Sequence, residues 1–446
     1  MARQVQEAYI VAATRSAVGR APRGALRSTR PDTLLAHVLK RVVAQVPAVE
    51  PGRIDDVIVG CALPEFEQGM NVARIGVLLA GLPDSVPGVT VNRFCSSGLN
   101  AVSIAADRIR TGEADVVVAA GTESMSLIPM LGRLVPNERV FERDEDRGIA
   151  FGMGITAEKV AERWKVSRED QDAFALASHQ KAIAAQAAGE FDTEITPFEI
   201  EASLPDLAAH RIVARRVPFA RDEGPRADTT LEALAKLRPA FALKGSVTAG
   251  NSSQTSDGAG AVMVVSERVL KESGLAPLAR FAGFAVAGVP PEVMGVGPIA
   301  AVPKVLATTG VALQDIDWIE LNEAFAAQSL AVIRDLGRRR NSHPPDDRDA
   351  GNQSAHDSSP LLRRRPSRPR HSAIATRPPR ACSPRHRVPV TAMPRTGPPR
   401  PSRCPRTWSP ARTSAGAGAS RARSSPSGWL PLRRAGARGR WRRPAD

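Results

Sequence analysis

The chain has 446 residues and a formal net charge of +15, enough length for two ordinary domains with sizeable cores. The charge is unevenly held: 26 of the 61 basic residues but only 5 of the 46 acidic ones fall in 337–446, giving that stretch +21 and the remainder −6. The basicity therefore belongs to one end and does not mark the body as a nucleic-acid binder, while four scattered cysteines (Cys61, Cys95, Cys382 and Cys404) without CxxC spacing argue against a disulfide scaffold or zinc site.

No apolar run approaches the length of a membrane span. The first residues form no leader-like apolar stretch, so a cytoplasmic protein is expected. Residues 8–13 read as a strand, and Pro31-Asp32 opens a helix with Leu34, Leu35, Val38, Leu39 and Val42 on one face. Residues 56–60 and 114–120 read as buried strands, with a helix over 72–82. Strands apolar on both faces, alternating with helices, predict a parallel sheet covered on both sides, an α/β architecture.

Between these strands, Val89 to Asn92 alternates as a strand does and passes at Cys95 into a helical pattern carried by Leu99, Val102, Ile104, Ala105 and Ile109. A cysteine at a helix start faces unpaired backbone N–H groups and the positive end of the helix dipole, which stabilise a thiolate and favour nucleophilic chemistry. A buried structural cysteine is the bland alternative.

From 121 to about 243 the pattern loosens into helices at 157–164 and 168–188 separated by charged and Pro-containing loops, an excursion of lid or loop-subdomain size. The run Val247-Thr-Ala-Gly-Asn-Ser-Ser253 leads back to a strand at 261–266. Strands at 278–286 and 317–322 and helices at 299–308 and 324–336 then repeat the first pattern, so that one strand delivers Asn322 to a helix start as another delivers Cys95. This reads as an internal duplication of a βαβαβ unit, whose strand ends would meet at one cleft. From Gly337 onward, 18 prolines and 26 arginines without Phe, Tyr, Lys or Glu leave no strand or helix period. Disorder is expected there. The same composition suits a GC-rich coding region read out of frame.

Five ordered motifs carry a family resemblance: Asn92-Arg-Phe-Cys-Ser-Ser-Gly98, Gly121-Thr-Glu-Ser-Met125, Leu237-Arg-Pro-Ala-Phe241, Val247-Thr-Ala-Gly-Asn251 and Asn322-Glu-Ala-Phe-Ala-Ala327. Together they resemble the thiolases, over residues 8 to about 336. The resemblance implies a thiolase-like α/β fold with two duplicated halves in an αβαβα layered core and a loop domain inserted in the first. Its expected divisions are 1–270 (with the loop subdomain at about 121–248), a truncated second domain at 271–336, and the tail at 337–446.

It also implies an acyl-CoA:acetyl-CoA C-acyltransferase working through an acyl-cysteine, with coenzyme A and acyl-CoA as substrates and no cofactor or metal. By that resemblance Cys95 is the nucleophile and Asn322 holds a water in the oxyanion hole. Met153, Arg226, Phe241, Ala249, Ser253, Ala324 and Phe325 line the coenzyme A and acyl pocket. A homodimer or homotetramer is implied. Asn322-Glu-Ala-Phe speaks against both the sterol-carrier-linked thiolases and a ketoacyl synthase, and Gly152 before Met153 tilts the reading towards a degradative 3-ketoacyl-CoA thiolase; acetoacetyl-CoA formation is the alternative.

Two family segments are not spelled by this sequence: a Gly-His-Pro supplying a histidine, and a Cys-x-Gly supplying a second cysteine. His343 follows a serine, His356 sits in Ala-His-Asp, and Cys382 and Cys404 are not followed by x-Gly. Impaired activity is therefore expected. A reading from another class is an inert thiolase-like body whose tail binds polyanions non-specifically.

Overall fold

The computed structural model describes residues 5–128, 130, 135–206 and 210–342. Its strands are β1 (Ala8–Arg15), β2 (Gly19–Arg20), β3 (Asp56–Gly60), β4 (Gly88–Val91), β5 (Val116–Ser124), β6 (Phe198–Asp206), β7 (Arg211–Phe219), β8 (Ser256–Ser266) and β9 (Ala279–Arg280). Its helices are α1 (Pro31–Ala44), α2 (Val72–Leu79), α3 (Ser97–Arg110), α4 (Met153–Trp164), α5 (Arg168–Ala187), α6 (Leu231–Ala235), α7 (Glu267–Glu272), α8 (Gly297–Thr309) and α9 (Ala326–Ser342).

The main sheet runs β4-β3-β5-β8-β1-β9, with β2 added beside β8. The pairs β3–β4 and β3–β5 are parallel, as expected, but β8 runs antiparallel to both β5 and β1. The sheet is thus mixed. Apolarity on both faces reports burial and leaves strand direction open.

The alternation of the strands explains the layering. Val57 and Val59 of β3 point into a core with Leu35, Leu39, Val77 and Met263, while Ile58 between them packs with Ala101, Ala105, Ile109 and Val117. Successive strand residues face opposite sides, so α1 and α2 cover one face and α3 the other. Each fully buried side chain of this size stabilises the fold by about 1.5–3 kcal/mol relative to exposure.

The excursion from the sheet contains α4, α5 and a hairpin, β6–β7, in a separate two-stranded sheet. The second half differs from the expected repeat. Of 278–286, only Ala279–Arg280 is strand, pairing with β1. Residues 317–322 form no strand, and Trp318 is 73% exposed. The physical reason is the lack of a partner: among the described residues no strand lies beside 317–322 to take its backbone hydrogen bonds. Helix α9 starts at Ala326 and continues through Gly337 to Ser342, past the compositional boundary, because arginine is a good helix former. The disorder expected of the tail lies, beyond residue 342, outside the described residues. Among the described residues no helix is long and apolar enough to cross a membrane.

Candidate active site

Strand β4 ends at Val91 and the chain reverses through Asn92–Ser96 into α3. The turn is stitched internally. Ser97 Oγ accepts from Arg93 N–H at 2.7 Å and donates to Phe94 O at 2.6 Å, and Ser96 Oγ donates to Arg93 O at 2.9 Å. Phe94 N–H donates to Asn92 Oδ1 at 2.7 Å, holding Phe94 at φ +47°, in the left-handed region. A bulky residue there stores about 1–3 kcal/mol of strain, and such strain gathers at functional sites. The following residue, Cys95, is exposed with a free thiol. No side chain caps α3, so the positive end of the helix faces the cysteine side.

The floor of this turn has no side chains. A Cβ on Gly60 would lie 2.4 Å from Gly98 N and from Ser97 C, and one on Gly121 would lie 3.8 Å from Gly98 Cα. Gly60 therefore lets the start of α3 rest directly on β3, whereas a Cβ at 121 would make only ordinary contact and one at 98 would meet nothing.

Buried groups stand behind the turn. Gln68, with no exposed surface, donates from Nε2 to Glu123 Oε1 at 2.7 Å, Leu63 O at 2.8 Å and Cys61 Sγ at 3.2 Å. Burial pushes the Glu123 carboxyl up from the usual carboxylate value. Burial, aided by the Glu123 charge, pushes the Cys61 thiol up to about 12. Sequence reasoning treated neither Gln68 nor Glu123 as part of the site. The available signal was Glu123 lying two residues beyond Gly121 on one strand, hence on the same face of the sheet.

A second cluster gathers most of the expected pocket residues. Ser253 N–H donates to Ala324 O at 2.9 Å, and Ala326 N–H donates to Asn251 O at 3.0 Å. The rings of Phe241 and Phe325 meet edge to face with centroids 6.0 Å apart. Gly154, beside Met153, is so close to Phe241 that a Cβ would lie 2.1 Å from Cδ1. Phe241, Ser253, Ala324 and Phe325 thus form one rim, with Met153 exposed at the start of α4 next to Gly154 and Ala249 exposed on the adjoining loop.

That loop is fixed from below. Asn251 Oδ1 accepts from Thr248 N–H at 2.8 Å and its Nδ2 donates to Asp172 Oδ1 at 2.9 Å, while Arg168 Nε donates to Asp172 Oδ2 at 2.7 Å. Glu158 accepts from Ser246 and Val247 N–H at 2.9 and 3.0 Å.

Arg226 stands on another exposed loop. Its N–H donates to His179 Nδ1 at 3.3 Å, and its guanidinium lies 3.7 Å from Asp228. Burial, with the Arg226 charge, holds His179 below the usual imidazole value. Ser178, next to His179 on α5, donates to Glu323 Oε2 at 2.5 Å, so α5 approaches both Arg226 and the segment after Asn322. Asn322 itself is exposed, and no hydrogen bond joins it to Cys95 among the described residues. His343, His356, Cys382 and Cys404 lie outside the described residues. No group of three or more His, Cys, Asp or Glu suited to a metal occurs among the described residues.

The family model for the thiolase N-terminal domain matches residues 8–268, and that for the thiolase C-terminal domain matches 275–343. The chain belongs to the thiolase family. It is 50% identical over 335 residues to the 3-ketoacyl-CoA thiolase of Bacillus subtilis, covering 75% of this chain and 84% of the relative. It is 45% identical over 344 residues to an acetyl-CoA acetyltransferase of Pseudomonas aeruginosa, covering 75% and 84%. The dimeric peroxisomal thiolase of Saccharomyces cerevisiae superposes with a TM-score of 0.66 at 41% identity, covering 74% of this chain and 83% of that one. The thiolase fold and the family anticipated from the five motifs are thereby established.

Proposed function

We propose that this thiolase-family chain transfers acyl groups between coenzyme A thioesters through Cys95, as a 3-ketoacyl-CoA thiolase. The observation that carries the reading is the exposed Cys95 thiol on a strained, internally bonded turn at the start of α3. The Cys95 sulfur adds to the 3-keto carbonyl. The C2–C3 bond then breaks with its electron pair moving to C2, and that carbon takes up a proton to give acetyl-CoA. The thiol of coenzyme A next adds to the acyl carbon, and the bond from that carbon to the Cys95 sulfur breaks, releasing the shortened acyl-CoA. Coenzyme A and its thioesters are the only small molecules this chemistry uses.

Asn322 holds the oxyanion water. The rim of Met153, Phe241, Ala249, Ser253, Ala324 and Phe325 takes the acyl chain and pantetheine, and Arg226 takes an anionic part of the nucleotide. Because the sequence spells neither the Gly-His-Pro nor the Cys-x-Gly segment, acylation of Cys95 should outrun turnover, since groups that act as a unit fail together. A second copy of the chain would pair at the open edge of β4, where Val89 and Phe94 are exposed. The dimeric yeast thiolase supports pairing as such, and the exposed edge is the reason for placing it at β4.

Intact-mass analysis after mixing with acetoacetyl-CoA tests the reading. An acetyl adduct on the wild type that C95S lacks, with thiolysis far below about 10 s⁻¹, a typical enzyme median, is expected. No adduct would overturn the nucleophile, and ordinary turnover would overturn the impairment.

A further inference from the structure

Glu123 ends a path of hydrogen bonds that leads to the nucleophile turn. It lies near the end of β5, on the face that Gly121 presents to α3. Its Oε2 accepts from Ala62 N–H at 2.7 Å, and its Oε1 accepts from Gln68 Nε2 at 2.7 Å. The carbonyl of Ala62 accepts from Asn92 Nδ2 at 3.0 Å, and Asn92 Oδ1 accepts from Phe94 N–H at 2.7 Å. The next residue is Cys95. At position 60, directly beneath the turn, no side chain could serve instead, because a Cβ there would meet the backbone of Ser97 and Gly98. The orientation of Asn92 is set from the side by the loop after β3, and that loop is held by Glu123.

We propose that Glu123 is a positioning residue for Cys95, fixing the Ala62 peptide so that Asn92 grips it and holds Phe94 in the left-handed conformation that presents the sulfur. An ionised carboxylate only accepts hydrogen bonds, so it satisfies both donors at once, whereas an amide turns a donor towards one of them. Gln68 is the second anchor: its Oε1 accepts from Ser124 N–H at 2.5 Å, so the side chains of Gln68 and Glu123 lock the ends of β3 and β5 to each other. The inference rests on Cys95 being the nucleophile.

The test compares wild type, E123Q, N92A and the double variant for the rate of Cys95 acylation by acetyl-CoA, alongside alkylation by iodoacetamide and thermal unfolding. Asn92 is exposed, so N92A leaves the fold intact even where E123Q lowers the folded yield. Each single variant should lose acylation about ten- to a hundredfold, the scale of loss brought by a displacement of about 1 Å. Alkylation by the small, geometrically undemanding reagent should fall less. The double variant should be no slower than the worse single, because both act along one path. Wild-type acylation with an unaltered E123Q rate, or losses that multiply in the double variant, would overturn the inference alone. Absence of acylation in the wild type would overturn the nucleophile reading and this inference with it.

Discussion

Phe94 N–H donates to Asn92 Oδ1 at 2.7 Å while Phe94 sits at φ +47°, so a polar side chain two residues back holds a bulky residue in backbone space that suits glycine. Phe94 is 63% exposed, and its ring contributes little to the core. The usual order of Ala above Gly should therefore invert here: F94G should be more stable than F94A by about 1 kcal/mol, since alanine keeps the left-handed penalty. Urea unfolding of the two variants checks this.

Gly60 gives a second prediction. In G60A the new methyl meets the backbone of Ser97 and Gly98, atoms that cannot rotate away, so α3 must shift. A loss of about 1–3 kcal/mol is expected, as for overpacking in cores, together with slower Cys95 labelling. A methyl placed on Gly52 would meet nothing within 4 Å, and G52A should change stability by less than about 0.5 kcal/mol.

Asp172 is 4% exposed and serves Arg168 and Asn251 together. D172A removes one acceptor from each, while Arg168 keeps the carbonyls of Leu234 and Leu237 and Asn251 that of Ser246, and should cost about 1–3 kcal/mol. Because Asn251 O accepts from Ala326 N–H, hydrogen exchange at Ala326 should accelerate in the same variant. A normal exchange rate there would show that α9 takes its position from elsewhere.

Cys61 predicts an alkaline effect. The folded thiol is raised from 9.0 to about 12, chiefly by burial, so above pH ~9 the unfolded chain releases a proton that the folded chain retains. The contribution to stability is complete below the unfolded value and is lost as pH rises towards the folded one, by about 1.4 kcal/mol per pH unit. C61A should flatten the fall of stability across this window, as read from urea midpoints at successive pH values. At neutral pH iodoacetamide should label Cys95 and spare Cys61, which is 1% exposed.

Much of the first half was legible because its signals are local. The run Asp56–Gly60 and the switch at Cys95 needed only a change of apolar period, and both stand where that period put them. The hairpin β6–β7 was also written locally, in the alternation of Phe198, Glu199, Ile200 and Glu201, but the charges of the excursion obscured it. Residues 317–322 alternate well enough to be a strand, yet a strand needs a neighbour that no local pattern supplies. Glu123 and Ala62 are 61 positions apart, so their bond follows from the register of β3 on β5 and not from any motif. The rim around Phe241 and Phe325 came from family resemblance, with Asn251 and Asp172 beneath it visible only once α5 was packed.

The glycine floor under Cys95 divides two tasks between two parts of the molecule. At Gly60 backbone rests on backbone, with no side chain to trim or recharge, so the support beneath the sulfur is set there by the main chain alone. If the rim takes the acyl chain as proposed, adaptation to different acyl groups falls to Phe241 and Phe325, whose edge-to-face rings are side chains of adjustable size. The turn thus works as a fixed datum, and the aromatic rim as the part open to change.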